Sequence, residues 1–445
     1  MRLMTGTHVN LYGDKTYVMQ LRTGYSYLFN ETVYDILKIL ESSPGITADE
    51  ICERMLEIYG VEDTDSFRRD ILECLADLED KKIIDGETPP PAQARPVPED
   101  LINRICIKNH ILQSVTIELT YRCNERCAHC YVADTEKDAG TEMTTEEVFA
   151  LLDRLKAMDV LNVTFTGGEV ALRKDLTDIL RYADKSGFAV SVFTNGIGLS
   201  DETLDEIALL HPRSVSFSLY SGIPEEHEAI TKVPGSFEKT LYAMMRLKCA
   251  GVMVNVKTPV MRTALEGFEK LHRLCGQLGF SHQVSYLICS TNKGCVSPTL
   301  LRVGDVEAYK RLMKIASDGV FTGPSPRDPE EPVCGAGSCC LSVDPYGNVF
   351  PCNGYAVKLG NIRETDIQTI WNSDRVKRFA DFKFSSLNRE CRECAYSDDC
   401  LYCPGAMLAE TGDIRVPVRE ACLIARAARE ARAEGFPAFN DAQTS

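Results

Sequence analysis

The sequence predicts a three-part α/β protein in which a parallel sheet lies between a small winged-helix-like unit and a cysteine-rich segment. Strand-like and helix-like stretches alternate six times between about residues 114 and 290, and most cysteines cluster in two groups. The chain has 445 residues, of which 44% are hydrophobic, enough for about three domains with buried cores. A disordered chain or a small disulfide scaffold is therefore excluded.

The net charge of the chain limits the classes of partner that it is expected to bind. It has 49 Lys and Arg against 65 Asp and Glu, a formal net charge of −16, which argues against binding to nucleic acid or anionic lipid. The sequence has no apolar run long enough for a signal peptide or a membrane span. We therefore expect a cytoplasmic protein with no nucleic acid and no membrane partner.

Residues 1–88 are predicted to form the winged-helix-like unit, with hairpin strands followed by three short helices. Its predicted turns and helix caps are Gly13, Gly24, Asn30 and the capping box of Thr47 with Glu50. The proline-rich sequence that follows predicts an extended linker over residues 89–110.

Residues 111–320 are predicted to form a parallel sheet, either open or closed into a partial (β/α)6 barrel. One of its helices begins at a capping box of Thr144 with Glu147. Chemistry in such sheets lies at the carboxyl ends of the strands. The polar and glycine residues predicted at those ends are Cys123, Gly167, Asn195 and Ser218.

The 19 cysteines are too many for an ordinary cytosolic enzyme. Their odd number and the absence of an export signal favour thiolate ligation of metal over disulfides. Eleven fall into two tight groups, at residues 123–130 and 334–403, and Cys422 follows as a twelfth. The other seven are interpreted as small buried hydrophobes: Cys52, Cys74, Cys106, Cys249, Cys275, Cys289 and Cys295.

Cys123, Cys127 and Cys130 directly follow a predicted strand, and their spacing brings three sulfurs to one side of a loop. Three thiolates on a cubane iron–sulfur cluster leave one iron without a protein ligand, free to bind a small molecule. A structural zinc site is the alternative, but it would need a fourth ligand. His129 is badly placed for that role, because it adjoins Cys130.

These residues resemble the CxxxCxφC signature of the radical S-adenosylmethionine (radical SAM) superfamily, with His129 at the φ position and Tyr131 after the motif. The resemblance implies that the open iron of a [4Fe-4S] cluster chelates S-adenosylmethionine. An electron from the reduced cluster would cleave the bound molecule to methionine and a 5′-deoxyadenosyl radical, which abstracts hydrogen from an unactivated C–H bond.

A second motif of this family is Gly167-Gly168-Glu169, at the end of the next predicted strand. The resemblance implies that the Glu169 carboxylate accepts from the methionine amine. Asn195 and Ser218 also lie at strand ends, where similar enzymes contact the cofactor. Lys257 is either such a contact or a solvated side chain.

The cysteine-rich segment, residues 321–430 before a tail at 431–445, resembles the SPASM domain of radical enzymes. The resemblance implies two auxiliary [4Fe-4S] clusters, the first held by Cys334, Cys352, Cys403 and either Cys340 or Cys339, and the second by Cys391, Cys394, Cys400 and Cys422. One departure is that only two residues separate Cys400 from Cys403, where the family has three. Zinc ribbons are the alternative, but redox-inert zinc could not accept an electron from a substrate radical.

The first unit resembles the peptide-recognition element of ribosomal peptide biosynthesis, in which a leader peptide adds a strand to an exposed sheet edge. Together the resemblances imply a radical maturase that installs a thioether or carbon–carbon cross-link in a ribosomally made precursor peptide. A reductant such as flavodoxin or ferredoxin is implied as a second partner.

Two alternatives remain open at this point. One is a radical enzyme that matures a protein substrate, as in sulfatase maturation. The other is an iron–sulfur redox sensor whose winged helix reads DNA, although the acidic surplus of that unit and the Gly167-Gly168-Glu169 motif speak against it. The sequence names no general base.

Overall fold

The computed structural model describes residues 1–4, 6–20, 25–61, 64–85, 99–135, 137, 141–316 and 328–434. The strands are β1 Thr7–Tyr12, β2 Lys15–Gln20, β3 Tyr25–Asn30, β4 Ser114–Thr120, β5 Asn162–Gly167, β6 Ala189–Thr194, β7 Ser214–Ser218, β8 Val254–Pro259, β9 Ser281–Ser285, β10 Cys340–Val343, β11 Asn348–Phe350 and β12 Gly360–Asn361.

The helices alternate with the strands through most of the chain. They are α1 Glu31–Ser42, α2 Ala48–Tyr59, α3 Thr64–Asp80, α4 Glu99–Lys108, α5 Thr145–Ala157, α6 Leu176–Lys185, α7 Asp201–Leu209, α8 Pro224–Thr231, α9 Ser236–Cys249, α10 Leu265–Leu278, α11 Val306–Ile315, α12 Ile367–Trp371, α13 Asp374–Ala380, α14 Arg389–Arg392, α15 Pro404–Thr411 and α16 Arg419–Ala433. No helix among the described residues is both long and apolar enough to cross a bilayer.

The chain divides into two compact units, and the first consists of residues 1–111 with residues 187–189. In it β1, β2 and β3 form an antiparallel sheet in that order, and helices α1 to α3 pack over a core that includes Ile36, Ile51 and Leu75. The Asn30 cap and the Thr47–Glu50 capping box form as predicted, whereas the predicted turn at Gly24 lies outside the described residues. Helix α4 lies where the sequence predicts an extended linker.

The second unit contains a nine-stranded sheet in the order β12-β11-β10-β4-β5-β6-β7-β8-β9. Strands β4 to β9 correspond to the six predicted strands, and the α/β fold class with a parallel-strand sheet is confirmed. The Thr144–Glu147 capping box begins α5. Helices α8 and α11 are additional elements that the sequence did not predict.

The cysteine-rich segment continues the same sheet. Strands β10 and β11 form a hairpin that turns through Pro345 and Gly347, and β10 pairs in parallel with β4, with Cys340 opposite Ser114. The segment is therefore joined by backbone hydrogen bonds to the strand that leads into the three-cysteine loop.

Candidate functional site

A cavity of about 480 Å³ lies at the carboxyl ends of the parallel strands. The three-cysteine loop leaves β4 and forms one wall, while the ends of β5, β6, β7 and β8 form the other. The predicted site residues that line it are Cys123, Cys127, His129, Cys130, Tyr131, Gly167, Gly168, Asn195 and Ser218. The structure thus brings together nine residues that are spread over almost a hundred positions of the sequence.

The loop is ordered around Glu125, which is 5% exposed. Its backbone N–H donates to the Cys123 sulfur at 3.4 Å, and its carboxylate accepts from the Cys127 thiol at 3.0 Å. Burial raises the pKa of the Cys123 thiol to about 11 and that of the Glu125 carboxyl to about 7. The metal-free loop therefore keeps the Cys123 thiol protonated at neutral pH, where the Glu125 carboxyl is only partly ionised, and binding iron requires the thiols to lose their protons.

Gly167 and Gly168 are required by close approach of two backbones. A Cβ on Gly167 would lie 2.2 Å from the Thr120 carbonyl oxygen, and one on Gly168 would lie 2.3 Å from that of Arg122. The Gly168 N–H donates to the Thr120 carbonyl at 2.7 Å. The glycines thus hold the end of β5 against the start of the cysteine loop.

Glu169 lies behind the cavity wall and is only 1% exposed. Its carboxylate accepts from the Thr194 hydroxyl at 2.5 Å, the Asn195 N–H at 2.6 Å and the Ala171 N–H at 3.0 Å. Burial raises its pKa despite these three donors. In this arrangement Glu169 orients the end of β6, and it is the one predicted cofactor contact outside the cavity lining.

Asn195 and Tyr220 connect the strand ends to the cysteine loop. The Asn195 amide donates to the side-chain oxygen of Asn124, inside the loop, at 2.6 Å. The Tyr220 hydroxyl lies 3.7 Å from the Cys127 sulfur, and its ring meets that of His129 edge-on at 4.6 Å. Burial lowers the pKa of His129 to about 4, so this imidazole is neutral at physiological pH.

Two polar atoms of cavity-lining residues suit a ligand that brings polar groups of its own. Glu125 Oε1 and His129 Nδ1 are buried and have no hydrogen-bond partner among the described residues. Three thiols on one wall match the donor set of a cubane cluster with one open iron.

A second cavity of about 370 Å³ lies in the cysteine-rich segment. The four cysteines predicted for the second auxiliary cluster, Cys391, Cys394, Cys400 and Cys422, all line it. Asn388 accepts from the Cys391 N–H at 2.9 Å, and the Tyr396 N–H donates to the Cys394 sulfur at 3.4 Å. Four thiols around one cavity suit a cluster whose four irons all have protein ligands.

The cysteines predicted for the first auxiliary cluster also lie together. Cys334, Cys340, Cys352 and Cys403 are near enough for a charge on one to raise the pKa of another. A charge on Cys340 would raise the pKa of both Cys334 and Cys352, while the sulfurs of Cys339 and Cys340 both lie near Gly335. A Cβ on Gly405 would lie 2.1 Å from the Gly354 carbonyl oxygen, so glycine lets the start of α15 approach the turn after Cys352.

Sequence reasoning missed several neighbours of the cavity. Asn353, next to Cys352, reaches the cavity and donates to the Tyr131 hydroxyl at 3.4 Å. That hydroxyl in turn donates to the buried carboxylate of Glu118 at 2.5 Å. The position of Asn353 beside a predicted ligand was the only signal in the sequence, while Glu118 resembles any polar residue of an alternating strand.

The interpretation of the seven scattered cysteines is partly wrong. Cys249 and Cys295 are exposed, because they lie at a helix end and in a loop that no element covers. Cys289 is only partly buried, and its thiol contacts Cys403. None of the 19 cysteines, all of which are among the described residues, forms a disulfide.

Three family models match the chain in the order that the structure shows. A model for coenzyme PQQ synthesis protein D matches residues 15–84, one for the radical SAM superfamily matches residues 117–275, and one for the SPASM iron–sulfur cluster-binding domain matches residues 334–395. The radical SAM match includes both the three-cysteine loop and the Gly167-Gly168-Glu169 motif.

The chain contains a radical SAM domain, together with a PqqD-like domain and a SPASM domain. Its cofactors are accordingly S-adenosylmethionine and iron–sulfur clusters, with the SPASM domain as the second cluster-binding region. This confirms the predicted cofactor classes and the predicted combination of three domain types.

Relatives of this radical SAM enzyme include two curated proteins. It is 28% identical over 323 residues to the AdoMet-dependent heme synthase of Methanosarcina barkeri, covering 66% of this chain and 92% of that protein. It is 26% identical over 401 residues to the subtilosin biosynthesis protein AlbA of Bacillus subtilis, covering 86% of this chain and 85% of that protein.

A solved structure shares the fold over nearly the whole enzyme. Streptococcus suis SuiB bound to the precursor peptide SuiA superimposes with a TM-score of 0.67 at 14% identity, covering 95% of this chain and 99% of SuiB. At this identity the likeness concerns the fold, and it extends from the first unit to the cysteine-rich segment.

Proposed function

We propose that this enzyme is a maturase that cross-links a ribosomally made precursor peptide. The observation that carries the proposal is the set of three thiols, from Cys123, Cys127 and Cys130, on one wall of a cavity at the strand ends. The PqqD-like unit of the same chain and the likeness to AlbA and SuiB support a peptide as the substrate.

The roles of the cavity residues follow from their positions. Cys123, Cys127 and Cys130 would hold three irons of a cluster, leaving the fourth for S-adenosylmethionine. When bound and reduced, this cofactor pair supplies a 5′-deoxyadenosyl radical that removes a hydrogen atom from an unactivated carbon. Asn195 and Ser218, which line the opposite wall, would bind the polar groups of the cofactor.

Three other residues shape the cavity: Glu169 from behind its wall, and His129 and Tyr220 as part of the wall. Glu169 positions the backbone of Asn195 through a 2.6 Å hydrogen bond. The Tyr220 hydroxyl lies 3.7 Å from the Cys127 sulfur, and the Tyr220 ring packs edge-on against His129, so that these two side chains would limit access of water to this part of the loop. We propose that the two cysteine sets of the SPASM domain each hold one auxiliary [4Fe-4S] cluster, which makes three clusters per chain.

Lys257 is proposed as a substrate contact in the same cavity. Its ammonium group donates to Gln283 at 2.8 Å and lies 4.4 Å from the centre of the Phe193 ring. Burial lowers its pKa, so a carboxylate or carbonyl of the bound molecule would compensate the partly buried charge.

The PqqD-like unit is proposed to bind the leader of the precursor. Strand β3 is an edge of its sheet, so an extended peptide can pair with it. Its Tyr27 hydroxyl donates to the Lys81 carbonyl, just beyond α3, at 3.4 Å. The β3 edge and the end of α3 therefore adjoin one another, as a groove for a leader requires.

The product we propose is a thioether or carbon–carbon cross-link within the peptide, with the thioether from a substrate cysteine as the first choice. The reductant would be a flavodoxin or a ferredoxin. Maturation of a protein substrate and redox-sensing regulation of DNA are the alternatives, and no contact among the described residues favours either.

The test has two stages. Reconstituted, dithionite-reduced enzyme is first incubated with S-adenosylmethionine alone, and we expect 5′-deoxyadenosine; its absence would favour the sensor. The second stage requires a search beside its gene for a short reading frame that encodes a Cys-bearing or aromatic-bearing peptide. The enzyme is then given that peptide, and we expect the peptide to lose two hydrogen atoms per cross-link by mass spectrometry. An unchanged peptide together with modification of a folded protein substrate would contradict the peptide assignment.

A further inference from the structure

The hydroxyl of Tyr220 faces the sulfur of Cys127 at 3.7 Å, a distance within reach of a hydrogen bond to sulfur. The Cys127 thiol directs its own proton to the Glu125 carboxylate, at 3.0 Å. Because a thiol has only one proton to donate, the phenol is the donor in the contact between Tyr220 and Cys127. One of the three sulfurs proposed to bind iron therefore accepts a hydrogen bond from a tyrosine.

The backbone of the cysteine loop directs two of its N–H groups to α8. The N–H of Arg126 donates to the Thr231 carbonyl at 3.0 Å, and that of Ala128 donates to the Ile230 carbonyl at 3.2 Å. Both carbonyls lie at the end of α8, where a helix has no partner of its own for them. The N–H groups on either side of Cys127 are thus engaged by α8 and do not donate to its sulfur.

Tyr220 is held by His227, which lies one turn before the end of α8. Nδ1 of this fully buried imidazole accepts from the Tyr220 N–H at 3.3 Å, and the two rings stack with their centres 5.3 Å apart. Burial lowers the pKa of His227 to about 4, so the ring is neutral. Since Nδ1 accepts, the single ring proton is on Nε2. His227 therefore fixes both the backbone and the ring plane of Tyr220.

A second set of contacts fixes the residue that follows Tyr220. The Ser221 hydroxyl donates to the Glu226 carboxylate of α8 at 2.7 Å, and the Gly267 N–H of α10 donates to the same oxygen at 3.2 Å. A Cβ on Gly267 would lie 1.7 Å from the Ser221 oxygen, so no larger residue fits at this junction. Because Glu226 directly precedes His227, the same helix orients both Tyr220 and the cysteine loop.

Ordinary packing of an aromatic side chain does not account for this arrangement. A phenylalanine would fill the same space, whereas a buried tyrosine hydroxyl needs a polar partner. The Tyr220 hydroxyl meets the sulfur of Cys127, and a ring stack and a backbone hydrogen bond from His227 keep it there. The contact is therefore built by α8 and does not depend on the cysteine loop alone.

We propose that Tyr220 raises the reduction potential of the radical SAM cluster by donating a hydrogen bond to the Cys127 thiolate, and that His227 is the positioning residue for Tyr220. The inference rests on the proposed function, because it requires a cluster held by Cys123, Cys127 and Cys130. One-electron reduction adds negative charge to the cluster and its sulfurs, so a donor to one sulfur stabilises the reduced form more than the oxidised form. The phenol keeps its proton in both forms.

The test measures the midpoint potential of this cluster in full-length, reconstituted holoprotein by redox titration followed by EPR. The same titration of protein in which all three cysteines of the loop are replaced by Ala gives the contribution of the auxiliary clusters, which is subtracted. Tyr220→Phe removes the hydroxyl and retains the ring. Tyr309→Phe is the matched control, because the buried hydroxyl of Tyr309 donates to Glu420 at 2.5 Å and not to a cysteine.

We expect Tyr220→Phe to lower the potential. The ratio of reduced to oxidised cluster at a fixed applied potential should fall by roughly threefold to tenfold, where tenfold corresponds to about 59 mV for one electron. Tyr309→Phe should leave the potential unchanged. His227→Phe keeps a stacked ring but removes the acceptor for the Tyr220 N–H, so it should also lower the potential. The double variant should shift no further than Tyr220→Phe alone, since His227 acts through that hydroxyl.

An unchanged or higher potential in Tyr220→Phe overturns the proposal. An unchanged potential in His227→Phe, or an additive shift in the double variant, overturns the positioning role. Iron and sulfide per chain show that each variant has kept its clusters, and His227→Leu, which also lacks the acceptor, takes the place of His227→Phe if that variant loses them. Failure of the proposed function looks different, because the unsubstituted enzyme would then show no EPR signal that responds to S-adenosylmethionine.

Discussion

Asn353 donates a hydrogen bond from its side-chain amide to the hydroxyl of Tyr131 at 3.4 Å. Each of these residues directly follows a predicted cluster ligand, Cys352 and Cys130. The backbone N–H of Asn292 also donates to the Tyr131 carbonyl, at 2.8 Å, while its amide donates to the Asn353 carbonyl at 3.1 Å. The SPASM domain thus contributes to the wall of the radical SAM cavity.

Tyr131→Phe should destabilise the enzyme more than Asn353→Ala. Removing the Tyr131 hydroxyl takes a 2.5 Å donor from buried Glu118, which should cost about 1 to 3 kcal/mol. Removing the Asn353 amide leaves that bond intact and should cost about 1 kcal/mol or less. Urea unfolding of the anaerobic holoprotein measures both, and a larger effect of Asn353→Ala would contradict the arrangement.

The stability of the enzyme should contain a pH-dependent contribution from Glu118. Burial raises the pKa of this carboxyl from 4.5 to about 7. Between these values the folded chain holds a proton that the unfolded chain has lost, so stability falls as pH rises through this window. The free energy of unfolding falls by about 3 kcal/mol in this way, and the decrease levels off above pH 7.

Glu118→Gln removes the titrating carboxyl. Comparing the enzyme with this variant therefore separates the contribution of Glu118 from that of the other acidic groups. The free energy of unfolding of the enzyme minus that of the variant should fall by about 3 kcal/mol between pH 4.5 and 8. Urea unfolding at a series of pH values measures the difference. A difference that does not vary with pH would show that Glu118 keeps its ordinary pKa.

Gly168→Ala should damage the cavity, because its Cβ would lie 2.3 Å from the Arg122 carbonyl oxygen. We expect a loss of about 2 to 3 kcal/mol of stability and weaker binding of S-adenosylmethionine. Gly276→Ala is the matched control, since, beyond its chain neighbours and the backbone of its own helix, no heavy atom among the described residues lies within 4 Å of its added Cβ. That variant should be up to about 1 kcal/mol more stable. EPR titration with S-adenosylmethionine and urea unfolding compare the two.

Cys127→Ala should abolish formation of 5′-deoxyadenosine and the EPR change that S-adenosylmethionine causes. The thiol of Cys127 lines the cavity beside Glu125 and Tyr220, and a cluster with two remaining thiolates would not be retained there. Cys295→Ala, at an exposed position, should leave both signals unchanged. If the two variants were equally active, the three-cysteine loop would not belong to the catalytic centre.

Leu72→Asp should weaken binding of the leader peptide to the PqqD-like unit by about tenfold or more, since a charge would enter an apolar contact. Leu72 is an apolar residue of α3 that is 40% exposed. Asp70→Ala, on the opposite face of the same helix, is the control and should bind normally. Fluorescence anisotropy with the labelled leader and the full-length enzyme compares the variants, and unchanged binding by Leu72→Asp would place the leader elsewhere.

Local features of the fold could be predicted from the sequence because neighbouring residues determine them. The caps at Asn30, Thr47 and Thr144 form hydrogen bonds within three residues, and alternating apolar residues identify the strands. The pairing of β10 with β4 could not be predicted, since it joins segments more than 200 residues apart. No local signal specifies such a pair.

The candidate site divides in the same way. The two groups of cysteines could be recognised from their spacing, whereas the division of the second group between two auxiliary clusters was implied by the resemblance to the SPASM domain. Glu169 was expected in the cavity, yet its three internal donors hold it behind the wall. The neighbours Glu118, Tyr220 and Cys289 needed the tertiary structure, which alone brings strand ends and loops together.

The parallel pairing of β10 with β4 has a consequence for dividing the enzyme into pieces. A polypeptide that stops near residue 320 would leave the outer side of β4 with a row of unsatisfied amides and carbonyls. Bare strands of this kind recruit other molecules and promote aggregation. The radical SAM domain is therefore best produced together with the cysteine-rich segment, since β10 of that segment covers the edge of β4.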